Sequence, residues 1–326
     1  MPEWVSTDRF EEVQDAWEQL LPSCSTNNIF VTPWLQRVWW RNFGDNLQLR
    51  ILSLRDGDSI LGIAPLVQEG DVLRFPGGRD LFDYHDFLVV RGEEDRFVNA
   101  LFDHLDSEEW QTIELLSLPE NSPNLRILPA AAKEHGYNVA VEEEDKAPVS
   151  RLSDTWDGYL ARLTKKKRHE LRRKVRRLEA NGAVRQFQCT DVDAIEEHMP
   201  DFLRLHRASS PEKAQFMNEE RERFFLDMAA ELGARGQFNL AILELDGNRV
   251  ATCINLDYGD TYFLYNSGYD PAYSRLGVGF VNKALALKES IEAGRRTFDF
   301  LRGNERYKYD LGAEERSVFK VTVTRR

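Results

Sequence analysis

Short apolar runs bounded by turn residues dominate the chain, and they recur in the same order in its two halves. Leu49-Arg-Ile-Leu-Ser-Leu54 resembles Leu240-Ala-Ile-Leu-Glu-Leu245, and each is followed by Asp-Gly, at Asp56-Gly57 and Asp246-Gly247. That dipeptide marks a tight hairpin, because the turn needs a positive φ that Gly adopts at little cost. A second strand follows in each half, Ile60 to Val67 and Val250 to Asp257. After Gly70-Asp71 or Gly259-Asp260 comes a third, Val72 to Phe75 or Thr261 to Tyr265. Phe97-Val-Asn99 then returns as Phe280-Val-Asn282 at the head of a helix-like stretch. Thr112-Ile-Glu-Leu-Leu116 returns as Thr297-Phe-Asp-Phe-Leu301, with Glu120 and Glu305 beyond them. Mainly helical stretches precede both sets, Asp8 to Leu20 with Trp34 to Asn42, and Ile195 to Leu232.

The pattern predicts a tandem duplicated α/β protein (an α+β mixed sheet in each copy), mostly antiparallel and flanked by helices. The strand–helix–strand step of each copy requires one parallel pair. The expected boundary is the charged run Glu142-Glu-Glu-Asp-Lys-Ala-Pro148, giving domains 1–147 and 148–326. A chain of 326 residues is long enough for two cores.

One segment departs from this pattern. Ser153 or Asp154 can cap a helix running to about Ala180, stopped by Asn181-Gly182. Trp156, Leu160, Leu163, Leu171, Val175 and Leu178 give it one apolar face. Its other faces are cationic: residues 162–177 hold ten Lys/Arg and one Glu, a local +9 in a chain of net charge -12. Like charges at i,i+4 repel, so an anionic partner is expected there. The CoA 3′-phosphate, tRNA, a nucleotide- or lipid-linked sugar diphosphate and an anionic membrane face all fit.

The remaining composition narrows the class. The polar opening Met1 to Phe10 is no secretory signal, and no apolar run approaches the ~20 residues of a membrane span. A cytoplasmic protein is therefore expected, with peripheral contact at the inner membrane face through the basic helix. Cys24, Cys189 and Cys253 form no CxxC pair and the six histidines are scattered, so neither a disulfide framework nor a metal is expected.

The second copy contains Tyr273-Ser-Arg-Leu-Gly277-Val-Gly279-Phe280, glycines two apart opening an amphipathic helix. Such a turn lets main-chain N–H groups and the positive helix end face a diphosphate. The matching place in the first copy reads Arg91-Gly-Glu-Glu-Asp-Arg96, where acids repel phosphate. Donor binding is expected in the second copy alone, at Ser274, Arg275, Gly277, Val278 and Gly279.

This order of elements resembles the GNAT acyltransferase superfamily, whose pyrophosphate motif is Gln/Arg-x-x-Gly-x-Gly/Ala. Gly277 and Gly279 match its glycines, Ser274 occupies the basic position, and Arg275 falls one residue late. More narrowly, Phe30-Val-Thr-Pro-Trp-Leu35, Leu61-Gly-Ile-Ala-Pro-Leu66, Asp83-Tyr-His-Asp86, Leu171-Arg-Arg-Lys174 and Phe298-Asp-Phe-Leu-Arg-Gly303 resemble the CelD/BcsL group, named for cellulose biosynthesis. That group is similar in its tandem fold to Fem-type aminoacyltransferases, which carry an acid in the first domain and a Lys near the end of the second. The resemblance places Asp83 and Lys308 in those roles and turns His206 toward the cleft.

Acyl transfer to an amine needs proton removal, oxyanion stabilisation and an acid for the departing thiolate. Asp83, Tyr84, His85 and Asp86 gather ionisable and polar groups in one loop, with Asp83 or Asp86 to orient or deprotonate the acceptor and His85 near neutrality as a base. Lys308 is a candidate for the oxyanion and Tyr307 for the thiolate. Glu305, Tyr265 and His206 are candidate substrate contacts. Three readings stay open: an acyl-CoA-dependent N- or O-acyltransferase acting on a sugar or cell-envelope precursor, an aminoacyl-tRNA-dependent transferase, and a catalytically inactive anion-binding accessory in polysaccharide synthesis.

Overall fold

The computed structural model describes residues 2–325. The chain divides into two compact units, one formed by residues up to 146 together with those from 317 onward, the other by 147–316.

The first unit runs β1 (Glu3–Thr7), α1 (Gln14–Leu20), α2 (Pro33–Phe43), β2 (Gln48–Asp56), β3 (Ser59–Glu69), β4 (Val72–Arg74), α3 (Gly78–Leu81), β5 (Leu88–Val89), α4 (Glu94–Leu105), β6 (Thr112–Pro119), α5 (Pro123–Glu134) and β7 (Asn138–Lys146). Strands β1 to β4 pair antiparallel in sequence order. The chain then crosses over through α4 to set β6 parallel to β4, with Leu73 opposite Ile113. Phe97, Leu101 and Leu105, four residues apart on α4, share one buried cluster with Leu52, Leu66 and Leu115 of the sheet. This is the i, i+4 spacing that turns one helix face to a core.

The second unit runs β8 (Val149–Arg151), α6 (Trp156–Arg162), α7 (Lys165–Glu179), β9 (Val184–Cys189), α8 (Val192–Ser209), α9 (Pro211–Phe216), α10 (Glu219–Ala234), β10 (Phe238–Leu245), β11 (Asn248–Tyr258), β12 (Thr261–Tyr269), α11 (Val278–Glu292), β13 (Thr297–Asp299) and α12 (Arg306–Asp310). Its sheet order is β8-β13-β12-β11-β10-β9. Only β12 and β13 run parallel, joined by the crossover helix α11. The β10–β11 turn has Asp246 and Gly247 both at positive φ, as a two-residue turn of the right twist requires. Each unit is thus a mixed, mainly antiparallel sheet flanked by helices, as the repeat predicts.

Three expectations need correction. The charged run Glu142 to Lys146 belongs to β7 and is no linker; only Ala147 and Pro148 separate it from β8. It lies at the sheet edge, where charge discourages pairing with another chain. The basic helix is two helices. Thr155 accepts the Gly158 N–H to open α6, Leu163 is extended at ψ 144, and Thr164 accepts the Lys167 N–H to open α7. Each threonine offers the backbone a cap in place of a continued helix. Finally, the last strand, β14 (Ser317–Thr324), inserts between β6 and β7 of the first unit, antiparallel to both. The second unit therefore ends at 316 and not at 326. Val318, Val321 and Val323 are fully buried there, which a free tail would not allow. Among the described residues no helix is long and apolar enough to cross a membrane.

Burying a valine contributes about 2 kcal/mol. Val323→Ala is expected to lower urea-unfolding stability by that amount. Val141→Ala on β7, where the side chain is exposed, should change it by less than about 0.5 kcal/mol. Equal effects would refute the central placement of β14.

Candidate functional site

The site is built where β12 and β13 part. They pair only over Thr261–Phe263 and Thr297–Asp299, while β12 continues to Tyr269. Asp299 helps to end β13: its carboxylate accepts the Leu301 N–H at 2.8 Å and Leu301 takes a left-handed φ of 58. The side of β12 beyond Phe263 is left without a strand neighbour toward β13, and a cleft of about 350 Å³ opens there.

The glycine turn forms one wall. After β12, a single 3₁₀ segment, Pro271–Leu276, leads to Gly277 at φ 74, which caps α11. The Gly277 N–H is used by Ser274 O at 3.0 Å, and the first acceptor within α11 is Gly277 O, taken by Val281. The amides of Val278, Gly279 and Phe280 come before that bond and are the unpaired donors of a helix start. Close packing explains both glycines. A Cβ on Gly279 would stand 3.3 Å from the Tyr269 ring, and one on Gly277 would stand 3.3 Å from Nη2 of Arg177. Arg177 belongs to α7, and its Nε is buried without an acceptor. Lys174, one turn earlier, holds its ammonium 4.0 Å from the centre of the Phe280 ring. The basic position that Ser274 leaves empty in the sequence is thus supplied in space from α7.

Two lysines also line the cleft. Lys213, on α9, donates to Ser267 O. Burial, and then the neighbouring Lys283, lower its pKa to about 8 against the pull of Glu305. Lys283, on α11, donates to Gly279 O at 3.3 Å and lies 5.0 Å from the Tyr307 ring centre. Burial also lowers its pKa, since removal from water disfavours the charged form. Burial pushes the Tyr307 phenol upward, so it keeps its proton. Tyr307, Glu305, Ser274, Gly277, Val278 and Gly279 all line the cleft, whereas Arg275 is exposed and does not.

Residues 165–309 match the family described as Acetyltransferase (GNAT) domain. This segment, less than half of the chain, is thus similar to GNAT acetyltransferase domains. No curated protein matches the chain. Among solved structures, FemX is similar at 11% identity and TM-score 0.68, over 98% of this chain and 96% of that one. A tandem GNAT protein from the clavulanic acid biosynthesis pathway is similar at 13% identity and TM-score 0.53, over 98% of each. The C-terminal domain of a putative lysylphosphatidylglycerol synthetase from Agrobacterium fabrum is similar at 9% identity and TM-score 0.61, over 96% of this chain and 92% of that one. At these identities the likeness is one of fold.

Several expected site residues have other employment. Lys308 is 1% exposed. Its ammonium donates to Leu301, Arg302 and Gly303 carbonyls at 2.9, 2.6 and 3.0 Å and pairs with Glu305 at 3.0 Å. It clamps the turn after β13 instead of facing an oxyanion. His206 is buried between the rings of Phe202 and Phe216, and burial lowers its pKa to about 4. Tyr265 packs on Phe225. Neither lines the cleft.

In the first unit, Asp83 is half-buried and Tyr84 packs edge-on to Phe30. His85 is sandwiched by Phe75 and Phe82, so it is no exposed base. Asp86 is buried and accepts from Thr26, Asn124 and the Phe87 N–H. Burial raises its pKa. It is a hub that ties three segments together, not a substrate contact. The counterpart of the glycine turn is filled by the protein itself: Glu94 accepts the Gly92 N–H at 2.8 Å and the Ser25 hydroxyl. On the same unit's surface Asp103, Asp106 and His135 lie together, but Asp106 already accepts from His135 and Tyr137.

Two measurements check these placements. Lys308→Met removes a cation from three carbonyls, and hydrogen bonds to charged groups contribute about 1.5–3 kcal/mol each. Loss of at least about 3 kcal/mol in urea unfolding is expected. His206, at about 4 in the folded chain and 6.5 in the unfolded one, takes a proton more readily when unfolded. Stability should therefore fall as pH drops from 6.5 toward 4, and His206→Gln should flatten that slope.

Proposed function

We propose that the second unit moves an acyl group from a CoA thioester to an amine or hydroxyl acceptor. The observation that carries this reading is the set of open amides at Val278, Gly279 and Phe280 beside Arg177. The corresponding place in the first unit is filled by its own Glu94 carboxylate. A diphosphate accepts hydrogen bonds from such amides and a charge-assisted one from a guanidinium. The GNAT domain match supports the same chemistry.

Each lining residue then has a task. The three amides and Arg177 hold the diphosphate, and the gap between β12 and β13 admits the thioester arm. Lys213, partly neutral near pH 8, accepts the proton from the attacking acceptor. Lys283 faces the charge that develops on the thioester oxygen, where a cation held away from water acts most strongly. Tyr307 returns a proton to the departing thiolate. An acceptor on a sugar or cell-envelope precursor completes the reading. It is supported by the resemblance of Phe298 to Gly303 and Asp83 to Asp86 to the CelD/BcsL group, and by the likeness in fold to FemX and to the C-terminal domain of a putative lysylphosphatidylglycerol synthetase.

Calorimetry with acetyl-CoA and longer acyl-CoAs tests the reading, and no binding at millimolar ligand would end it. Arg177→Ala is expected to weaken the donor about tenfold or more. Lys213→Met should lower kcat at least about 100-fold with donor affinity retained. The wild-type rate should rise with pH and level off above about 8, as the Lys213 ammonium loses its proton. Charged tRNA in the same assay decides between donors: transfer that requires it and ignores acetyl-CoA would replace the thioester.

A further inference from the structure

A second cleft, about 1020 Å³, lies along the first half of α7 and shares Phe280 with the donor cleft. Lys165, Lys166, Lys167, Lys174 and Arg306 line it. Its two acids are engaged: Glu170 holds Arg173 through two bonds of 2.9 and 2.7 Å, and Asp310 lies 3.7 Å from Arg306. Among the described residues, no ion pair joins Lys165, Lys166 or Lys167 to an acid within 4.0 Å. Their position makes this costly twice over. They repel one another, and they sit in the first turn of a 15-residue helix that has no acid there, where the helix dipole already disfavours positive charge. An anion in the cleft offsets both effects.

Resting on the donor reading above, we infer that this cleft is a second phosphate-binding site, taking a phosphate ester of a nucleotide-sized ligand. The volume suits such a ligand and is concave, unlike the flat face a membrane or duplex would need. Eleven residues of helix separate Lys166 from Arg177, about 16 Å at 1.5 Å per residue, so one diphosphate cannot occupy both places. The Phe280 ring between them offers an apolar step on which the body of the ligand can lie. Two sources share this chemistry: a phosphate on the ribose of the donor itself, or one carried by the acceptor.

The test compares the full-length wild type with a variant carrying Lys165→Ala, Lys166→Ala and Lys167→Ala. The first two side chains are exposed and the third is half-buried at the helix surface, and circular dichroism checks that the variant folds. Calorimetry is run with CoA, with 3′-dephospho-CoA, and with UDP added to CoA-saturated protein. If the phosphate is the donor's, wild type binds CoA at least about tenfold tighter than 3′-dephospho-CoA, and the variant loses that difference. If it is the acceptor's, UDP binds the CoA-saturated wild type and not the variant. Unchanged affinities in the variant for all three probes would overturn the site, as would loss of binding to phosphatidylglycerol vesicles alone. Wild type that ignores CoA but binds UDP through these lysines would refute the donor reading and leave this site standing.

Discussion

Three main-chain N–H groups at the start of α11 have no acceptor within their own helix, and the chemistry proposed for the second unit follows from that fact. A helix always leaves such donors, and a protein usually covers them with a side-chain cap. Here the cap position is Gly277, which has no side chain to offer. The two neighbours that a larger residue would displace, Arg177 and the Tyr269 ring, pack against the bare turn. The dipole of a 15-residue helix and a guanidinium thus point at one small volume. The divergence of β12 and β13 then supplies a slot leading away from it.

The first unit shows what the same topology becomes when the donors are covered. Its crossover helix α4 also begins after a glycine-containing turn, but Glu94 folds back onto the Gly92 N–H and the Ser25 hydroxyl. An internal carboxylate there competes with any external anion at an effective concentration no free ligand reaches. Asp86 makes a similar point: a buried acid that accepts from Thr26, Asn124 and Phe87 is consumed by the fold. Satisfied ionisable groups hold structure, and unsatisfied ones in a cleft mark sites.

Local signals carried much of this architecture. The duplicated strand order, the parallel step through each crossover helix, the glycine turn and the second hairpin at Asp246-Gly247 are set by neighbours in sequence and are found where the pattern puts them, whereas the first hairpin turns one residue later, at Gly57-Asp58, because Asp56 still pairs with Ser59. The failures have a common cause. Thr164 reads as an unremarkable helix residue until its hydroxyl is seen to cap α7, and Glu142 to Lys146 reads as a linker because edge strands tolerate charge on both faces. Lys308 looks like an active-site cation because sequence spacing cannot tell a lysine aimed at three carbonyls from one aimed at a substrate. Lys213 and Lys283 escaped the sequence reading, since each reaches the cleft from a different helix, and the basic stretch did not single out Arg177 as the residue beside Gly277. The one faint signal was Ser210-Pro211, a cap and first-turn proline that place Lys213 on a short helix.

The two cleft lysines show why charge and burial must be read together. An ammonium taken from water without a partner gives up its proton more easily, and Lys283 adds to this at Lys213 while Lys308 adds to it at Lys283. Glu305 opposes the shift from across the cleft but is itself tied to Lys308, so it neutralises neither fully. The residues of the cleft are therefore short of negative charge, and a diphosphate at the glycine turn would restore the ammonium form of the nearer lysine. Lys283, which donates to Gly279 O on that same turn, is the nearer one. Donor binding would then leave Lys283 charged for the developing oxyanion and Lys213, farther along at Ser267, closer to neutral for proton transfer. On this proposal, two residues with the same side chain would be driven to opposite roles by one bound anion.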